Sequence, residues 1–156
     1  MSKKLICNLI LSAHPIVSSR FAFSFNIHQS LPITNDIINN SLLNAVTNDN
    51  ITVVKRLLNN GADIHYESDD ALLLAVCYNH IEIVELLIEK GANVNANDCR
   101  AFRRAVCENH VISVELLINA GVNIHIRNDY ALQTAVENNY SDVIKLLIAK
   151  NSNAHI

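Results

Sequence analysis

Apolar and polar positions recur along this chain with a period of 30 residues. An alanine followed by a valine opens four successive segments, at Ala45-Val46, Ala75-Val76, Ala105-Val106 and Ala135-Val136. A leucine-rich block follows each pair, and a glycine follows three of these blocks: Gly61, Gly91 and Gly121. A fixed period of this size predicts a stack of repeated structural units.

Within each period, the apolar spacing predicts two helices. Leu72, Ala75 and Val76 stand at positions i, i+3 and i+4, which places them on one face of a helix. The block from Ile81 to Ile88 has the same spacing. The alanine that recurs in every unit predicts a close approach of two helices, because a larger side chain there would overpack the contact.

Two kinds of residue mark the ends of the predicted helices. The glycines follow the leucine-rich blocks, where a left-handed backbone ends a helix and glycine adopts it without steric cost. Asn or Asp occupies the tight turn between the two helices, and these residues tolerate the left-handed region better than most: Asp49, Asn79, Asn109 and Asn139. Each unit is therefore predicted to run helix, tight turn, helix, loop.

Several short motifs recur in one order and resemble the ankyrin repeat. Ala75-Val76 is similar to the alanine pair of that family, Asn79-His80 to its Gly-His, and Gly91-Ala92-Asn93-Val94-Asn95 to its last block. The resemblance covers residues 41–156 and divides them into four repeats, 41–70, 71–100, 101–130 and 131–156. It implies an all-α solenoid of helix-turn-helix units, in which His80 and His110 bond backbone groups.

The chain departs from the family pattern in two ways. No repeat has the Thr-Pro-Leu-His motif, and one such slot reads Asp70-Ala71-Leu72-Leu73. The period is 30 residues where the family has about 33, so the hairpin loops must be shortened. Binding is therefore predicted on the concave face of the inner helices. The short period, with Asn128 to Leu132 before a helix, is similar to ankyrin proteins encoded by giant DNA viruses of amoebae.

The first 40 residues form a separate N-terminal segment that lacks the repeat motifs. Residues 5–28 can be aligned with a repeat, which predicts a degenerate capping repeat followed by a loop over Gln29–Asn40 that contains Pro32. A capping repeat is favoured because the exposed face of the first repeat needs a cover. The alternatives are a disordered segment and a cleaved secretory signal, since a short apolar stretch follows Lys3 and Lys4.

Composition narrows the classes of partner and the compartment. The chain has 156 residues and a net charge of −3, which gives no electrostatic basis for non-specific binding to nucleic acid. No apolar run is long enough to predict a membrane span. Cys77 and Cys107 fall on neighbouring helices too far apart for a disulfide, and free thiols suit a reducing compartment. We expect a monomer in the cytoplasm, of a host cell if the viral resemblance holds.

The sequence contains no recognisable catalytic, cofactor or metal motif. His65, His125 and His155 share one register, but Asn95 interrupts it and the positions are too far apart to share a zinc ion. The three glycines all follow helices, and no serine has the Gly-x-Ser-x-Gly context of a hydrolase. We expect no enzymatic activity, no cofactor and no metal.

Residues that vary between repeats are the candidates for a binding site. The resemblance implies that the ends of the inner helices and the short loops face the concave groove. The candidates there are Tyr66, Asp70, Cys77, Tyr78, Arg100, Arg103, Arg104, Cys107, Glu108, Arg127, Tyr130, Glu137 and Asn138. Tyr78, Tyr130 and Arg104 come first, because Tyr and Arg are enriched at binding hot spots.

Charge along the loops adds a second hypothesis. An acidic segment, Glu67, Asp69 and Asp70, precedes a basic cluster, Arg100, Arg103, Arg104 and Arg127. Such a pattern favours a groove that orients a partner by charge. An ordinary solvated face is the alternative.

The sequence therefore predicts a non-enzymatic protein-protein interaction module that binds a partner through the concave inner-helix face. A host protein is the expected partner if the viral resemblance holds. The alternative is a structural or decaying repeat protein with no dedicated partner, which the loss of every Thr-Pro-Leu-His motif favours.

Overall fold

The computed structural model describes residues 32–153, with side chains described for residues 35–151. Eight α-helices follow one another in this span: α1 (Pro32–Thr47), α2 (Ile51–Asn59), α3 (Tyr66–Cys77), α4 (Ile81–Glu89), α5 (Ala96–Cys107), α6 (Val111–Asn119), α7 (Ile126–Glu137) and α8 (Ser141–Asn153). Odd-numbered helices pack side by side as an inner row, and even-numbered helices form an outer row. The predicted all-α solenoid of helix-turn-helix units is confirmed.

The core lies between the two rows of helices. The recurring alanines are all buried, with Ala75, Ala105 and Ala135 at 0% exposure. Larger apolar side chains fill the space beside them, and the largest of these that are fully buried include Leu42, Leu72, Phe102, Val76 and Val106. The alanine at this position of each inner helix therefore lets the rows approach, as the sequence predicted.

The predicted turn conformations are confirmed. The glycines after α2, α4 and α6 have φ of 90°, 93° and 86°. The tight turns inside the helix pairs contain Asp49, Asn79, Asn109 and Asn139 with φ of 54°, 58°, 55° and 59°. Left-handed residues thus end both helices of the first three pairs, and the chain reverses direction within a few residues.

The histidines of the tight turns join neighbouring repeats. The ring of His110 makes a hydrogen bond from Nδ1 to the carbonyl oxygen of Val76 at 2.9 Å. His80 Nε2 lies 3.3 Å from the carbonyl oxygen of Thr47. The role in bonding backbone groups that the family resemblance implied for these histidines is confirmed.

Each shortened loop contains one turn of left-handed backbone. Three consecutive residues have positive φ at the start of each later inner helix: Glu67, Ser68 and Asp69; Asn97, Asp98 and Cys99; Arg127, Asn128 and Asp129. The right-handed helix therefore begins only at Asp70, Arg100 and Tyr130. None of the nine residues is glycine, but five are Asn or Asp, which tolerate this region best among the others.

A row of side-chain oxygens, the acceptor row, joins each inner helix to the next loop. Asn39 Oδ1 accepts a hydrogen bond from the backbone N–H of Asp63 at 2.8 Å. One repeat later, Asp69 Oδ1 accepts one from the backbone N–H of Asn93 at 2.7 Å. Both acceptors are buried, at 5% exposure, so removing either would leave a partly buried N–H without its partner.

The third member of the acceptor row comes from a different position. Cys99 stands where the previous repeat has Asp69, and Asn95 Oδ1 accepts the bond from the N–H of Asn123 at 2.8 Å. The Cys99 thiol donates to the same Oδ1 at 3.2 Å. In the previous repeat a histidine occupies the position of Asn95, and its Nδ1 lies 3.0 Å from Asp69 Oδ1. The two positions have therefore changed together, and the contact between repeats is kept.

The N-terminal end of the described region differs from the sequence prediction. Gln29–Asn40 was predicted as a loop, but α1 begins at Pro32. The prediction of a loop is therefore wrong from residue 32 onward. Proline is accepted in the first turn of a helix because its missing N–H has no partner there. The predicted capping repeat over residues 5–28 lies outside the described residues.

The last helix pair, α7–α8, lacks a neighbour on one side within the described residues. Val46, Val76 and Val106 have 0% exposure, whereas Val136 in the same register has 54%. Asn151 stands where the other repeats have glycine, and α8 continues through it. As a result α8 has 13 residues, whereas α2, α4 and α6 have 9 each.

Candidate functional site

The candidate site is the groove formed by the inner helices. Along α3, the residues at positions 72, 75 and 76 face the core, so those at 70, 73, 74 and 77 face away from the outer row. The same register on α5 and α7 continues this surface. A cavity of about 490 Å³ lies there, lined by Leu73, Leu74, Cys77, Arg100, Arg103, Arg104, Cys107 and Tyr130.

Three of these side chains form an arginine row on α5: Arg100, Arg103 and Arg104. Arg104 Nη2 lies 3.1 Å from Glu108 Oε1, and Arg100 Nη1 lies 3.8 Å from Asp70 Oδ1. Both arginines and Glu108 are exposed and Asp70 is half-buried, and ion pairs so open to solvent contribute little. None of the eight described side chains that line the cavity is acidic. The floor of the cavity is therefore positively charged.

Tyr130 closes the cavity on the side of α7. Its hydroxyl lies 3.1 Å from the Cys107 sulfur, and its ring centroid lies 6.0 Å from the guanidinium carbon of Arg103. The hydrogen bond with Cys107 raises the pKa of the Tyr130 hydroxyl above its ordinary value. The Tyr130 ring and the Arg103 side chain support each other at this edge of the cavity.

An apolar row lies beside the arginine row, on α3. It consists of Leu73, Leu74 and Cys77, all half-buried and all lining the cavity. The sequence did not point to the two leucines as candidates, because the site was sought among polar, charged and aromatic residues. Their register was the available signal. Both leucines stand about one helical turn before Cys77, on the side of the helix away from the core positions 72, 75 and 76.

Six of the thirteen predicted site residues line this cavity: Cys77, Arg100, Arg103, Arg104, Cys107 and Tyr130. Two more, Asp70 and Glu108, form the ion pairs at its edge. Tyr78 is outside the cavity; its ring stacks on His80 with centroids 5.8 Å apart. Arg127 is also outside and pairs with Asp98 at 3.0 Å. The remaining three, Tyr66, Glu137 and Asn138, are not among the residues that line it.

The hypothesis of an acidic surface segment before the basic cluster needs correction. Asp69, in the middle of that segment, is buried and accepts the backbone N–H of Asn93. Asp70 faces Arg100 at the edge of the cavity. The acidic residues therefore do not form one surface, and of the predicted charge pattern only Arg100, Arg103 and Arg104 line the cavity.

The described part of the chain has neither a metal-ligand cluster nor a membrane-spanning helix. Among residues 32–153, His, Cys, Asp and Glu side chains are nowhere grouped in threes that could hold a metal ion. None of the eight helices in that span combines the length and apolar character that crossing a bilayer requires.

Sequence comparisons agree with this geometry. The family profile described as ankyrin repeats (3 copies) matches residues 22–98 and, in an overlapping match, residues 42–128. Because these matches cover more than half of the chain, the protein belongs to the ankyrin-repeat family. Proteins of this family generally serve as protein-protein interaction modules. No curated protein matches the sequence.

Proposed function

We propose that this protein binds a partner protein in the groove along α3, α5 and α7. The observation that carries the proposal is the cavity of about 490 Å³, whose lining combines three arginines, an aromatic side chain and two leucines. Arginine and tyrosine are the residue types most enriched where binding energy is concentrated. The buried framework repeats from pair to pair while these groove residues differ, as expected when scaffold and contact positions have separate roles.

The proposal extends to the origin of the partner. The 30-residue period is similar to that of ankyrin proteins from giant viruses of amoebae, which makes a host protein the first partner to test. Half-buried free thiols at Cys77 and Cys107 suit the reducing conditions of the cytoplasm. We therefore place the interaction in the cytoplasm of such a cell.

The test is affinity capture from amoebal lysate with three forms of the protein. The groove variant is Arg103→Ala/Arg104→Ala, and the matched control is Glu85→Ala/Glu89→Ala on the outer helix α4. Each variant removes two exposed or half-buried charges, and circular dichroism checks that each stays helical. We expect a partner retained by wild type and by the control, with at least about a tenfold loss for the groove variant.

The opposite pattern has a clear meaning. If all three forms retain the same proteins equally, the groove is not the binding site. If none of the three forms retains a protein, the result favours the alternative, a repeat protein without a dedicated partner.

A further inference from the structure

Two rows of different chemistry lie side by side in the groove. The apolar row on α3 consists of Leu73, Leu74 and Cys77, and the arginine row on α5 of Arg100, Arg103 and Arg104. Because α3 and α5 pack against each other, their axes are about 8–10 Å apart. One peptide segment is wide enough to contact both rows with neighbouring side chains.

The arginine row carries more positive charge than its surroundings neutralise. Arg103 is the clearest case, because its Nε donates to the backbone oxygen of Asp98 at 3.0 Å and no carboxylate of the described residues forms an ion pair with it. Arg100 is 3.8 Å from its only described carboxylate partner. A guanidinium in this state offers free N–H donors in the planar arrangement that matches a carboxylate.

The apolar row limits what kind of acidic molecule fits. A phosphate backbone would satisfy the arginines but would leave the exposed parts of Leu73 and Leu74 uncovered. A protein segment can present carboxylates and aliphatic side chains together.

We infer that the groove takes an acidic, aliphatic peptide segment of the partner, an inference that rests on the proposed function. Carboxylates of the segment bind Arg103 and Arg104, and an aliphatic side chain next to them packs on Leu73 and Leu74. Tyr130 limits the groove on the far side, since its hydroxyl is held by Cys107 and its ring by Arg103. The occupant is therefore selected by the order of charged and apolar side chains across two helices.

The test is selection from a library of short random peptides displayed on phage. Wild type is the bait, and the variant Arg103→Glu/Arg104→Glu is used to remove peptides that bind elsewhere. The matched control is Lys55→Glu/Arg56→Glu on α2, which changes the net charge by the same amount outside the groove. The most enriched peptide is then synthesised with a fluorescent label, once as selected and once with every Asp and Glu replaced by its amide.

We expect enriched peptides in which Asp or Glu stands beside Leu, Ile or Val. Replacing the carboxylates by amides, or using the groove variant, should each weaken binding by about tenfold or more, because each lost charge-assisted hydrogen bond has about this effect. Leu73→Ser should weaken binding of the acidic peptide as well. The α2 control should bind the peptide as tightly as wild type does.

Three results would overturn the inference. Enriched peptides that need the arginine row but carry no acidic residues would remove the acidic segment and leave the proposed function standing. If no peptide stays enriched once the peptides that bind the groove variant have been removed, both the inference and the proposed function are contradicted. A single-stranded oligonucleotide that displaces the peptide at lower concentration than the peptide itself binds would assign the row to phosphate.

Discussion

The helix pairs α5–α6 and α7–α8 carry similar residues in one register but differ in what covers them. Val106 and Val136 stand 30 residues apart in the same position, and their exposed fractions are 0% and 54%. The pair α3–α4 shows the same contrast with α7–α8. Its acceptor Asp69 is buried, whereas Asp129, the residue of the same type and register on α7, is exposed. In a stack, the contribution of a residue thus depends on whether the neighbouring repeat lies over it.

The largest expected effect separates two leucines of one register. Leu72→Ala should lower the free energy of unfolding by about 2–5 kcal/mol, because the side chain is almost fully buried and leaves a cavity. Leu132→Ala should cost about 1 kcal/mol, since that side chain is only half-buried. Urea denaturation followed by circular dichroism measures both. Equal losses would show that an unseen contact covers the last pair.

The next effect concerns the acceptor row. Asp69→Ala removes the carboxylate that accepts the backbone N–H of Asn93, so unfolding should become easier by about 1–3 kcal/mol. Asp129→Ala, the matched control, should change stability by less than about 0.5 kcal/mol. Amide hydrogen exchange gives an independent measurement, because the N–H of Asn93 should exchange faster only in the first variant. A large loss in the Asp129 variant would contradict this account.

The smallest effect concerns the helix ends. Gly91 has a φ of 93°, so Gly91→Ala should cost about 1–2 kcal/mol through backbone strain alone, since nothing stands close to the added methyl group. The converse change, Asn151→Gly, should end α8 near residue 150 with a stability change below about 0.5 kcal/mol. Carbon chemical shifts of residues 150–153 report on this helix. Persistent helical shifts in the glycine variant would mean that Asn151 does not cause the extension.

Much of the fold could be predicted from the sequence because its signals are local. Buried alanines, glycines with positive φ and the Asn or Asp turns each have one physical reason, and each was found where the pattern placed it. The left-handed turn before Asp70 could not be predicted in this way. Its residues, such as Glu67 and Ser68, have no strong preference for positive φ, so the stack imposes that conformation.

The site was predicted in part, for a similar reason. The register of the inner helices brought Arg100, Arg104 and Tyr130 to one cavity, as the family resemblance implied. Tyr78 lies outside this cavity with its ring stacked on His80, a contact that register alone does not reveal. The prediction that Asp69 belongs to an acidic surface segment was wrong. A charged residue in a loop is expected to be exposed unless its backbone partner in the next repeat, here Asn93, is known.

The left-handed turns also bear on how far the groove can be moved to another protein. Each turn places three non-glycine residues in a conformation that costs about 1–2 kcal/mol per residue in isolation. A single excised repeat would lack the hydrogen bonds from its neighbours that offset this cost, so it would not hold the start of its inner helix in place. Grafting the arginines of α5 onto an unrelated helix would therefore transfer the charges without the spacing, and a working graft must include the flanking pairs.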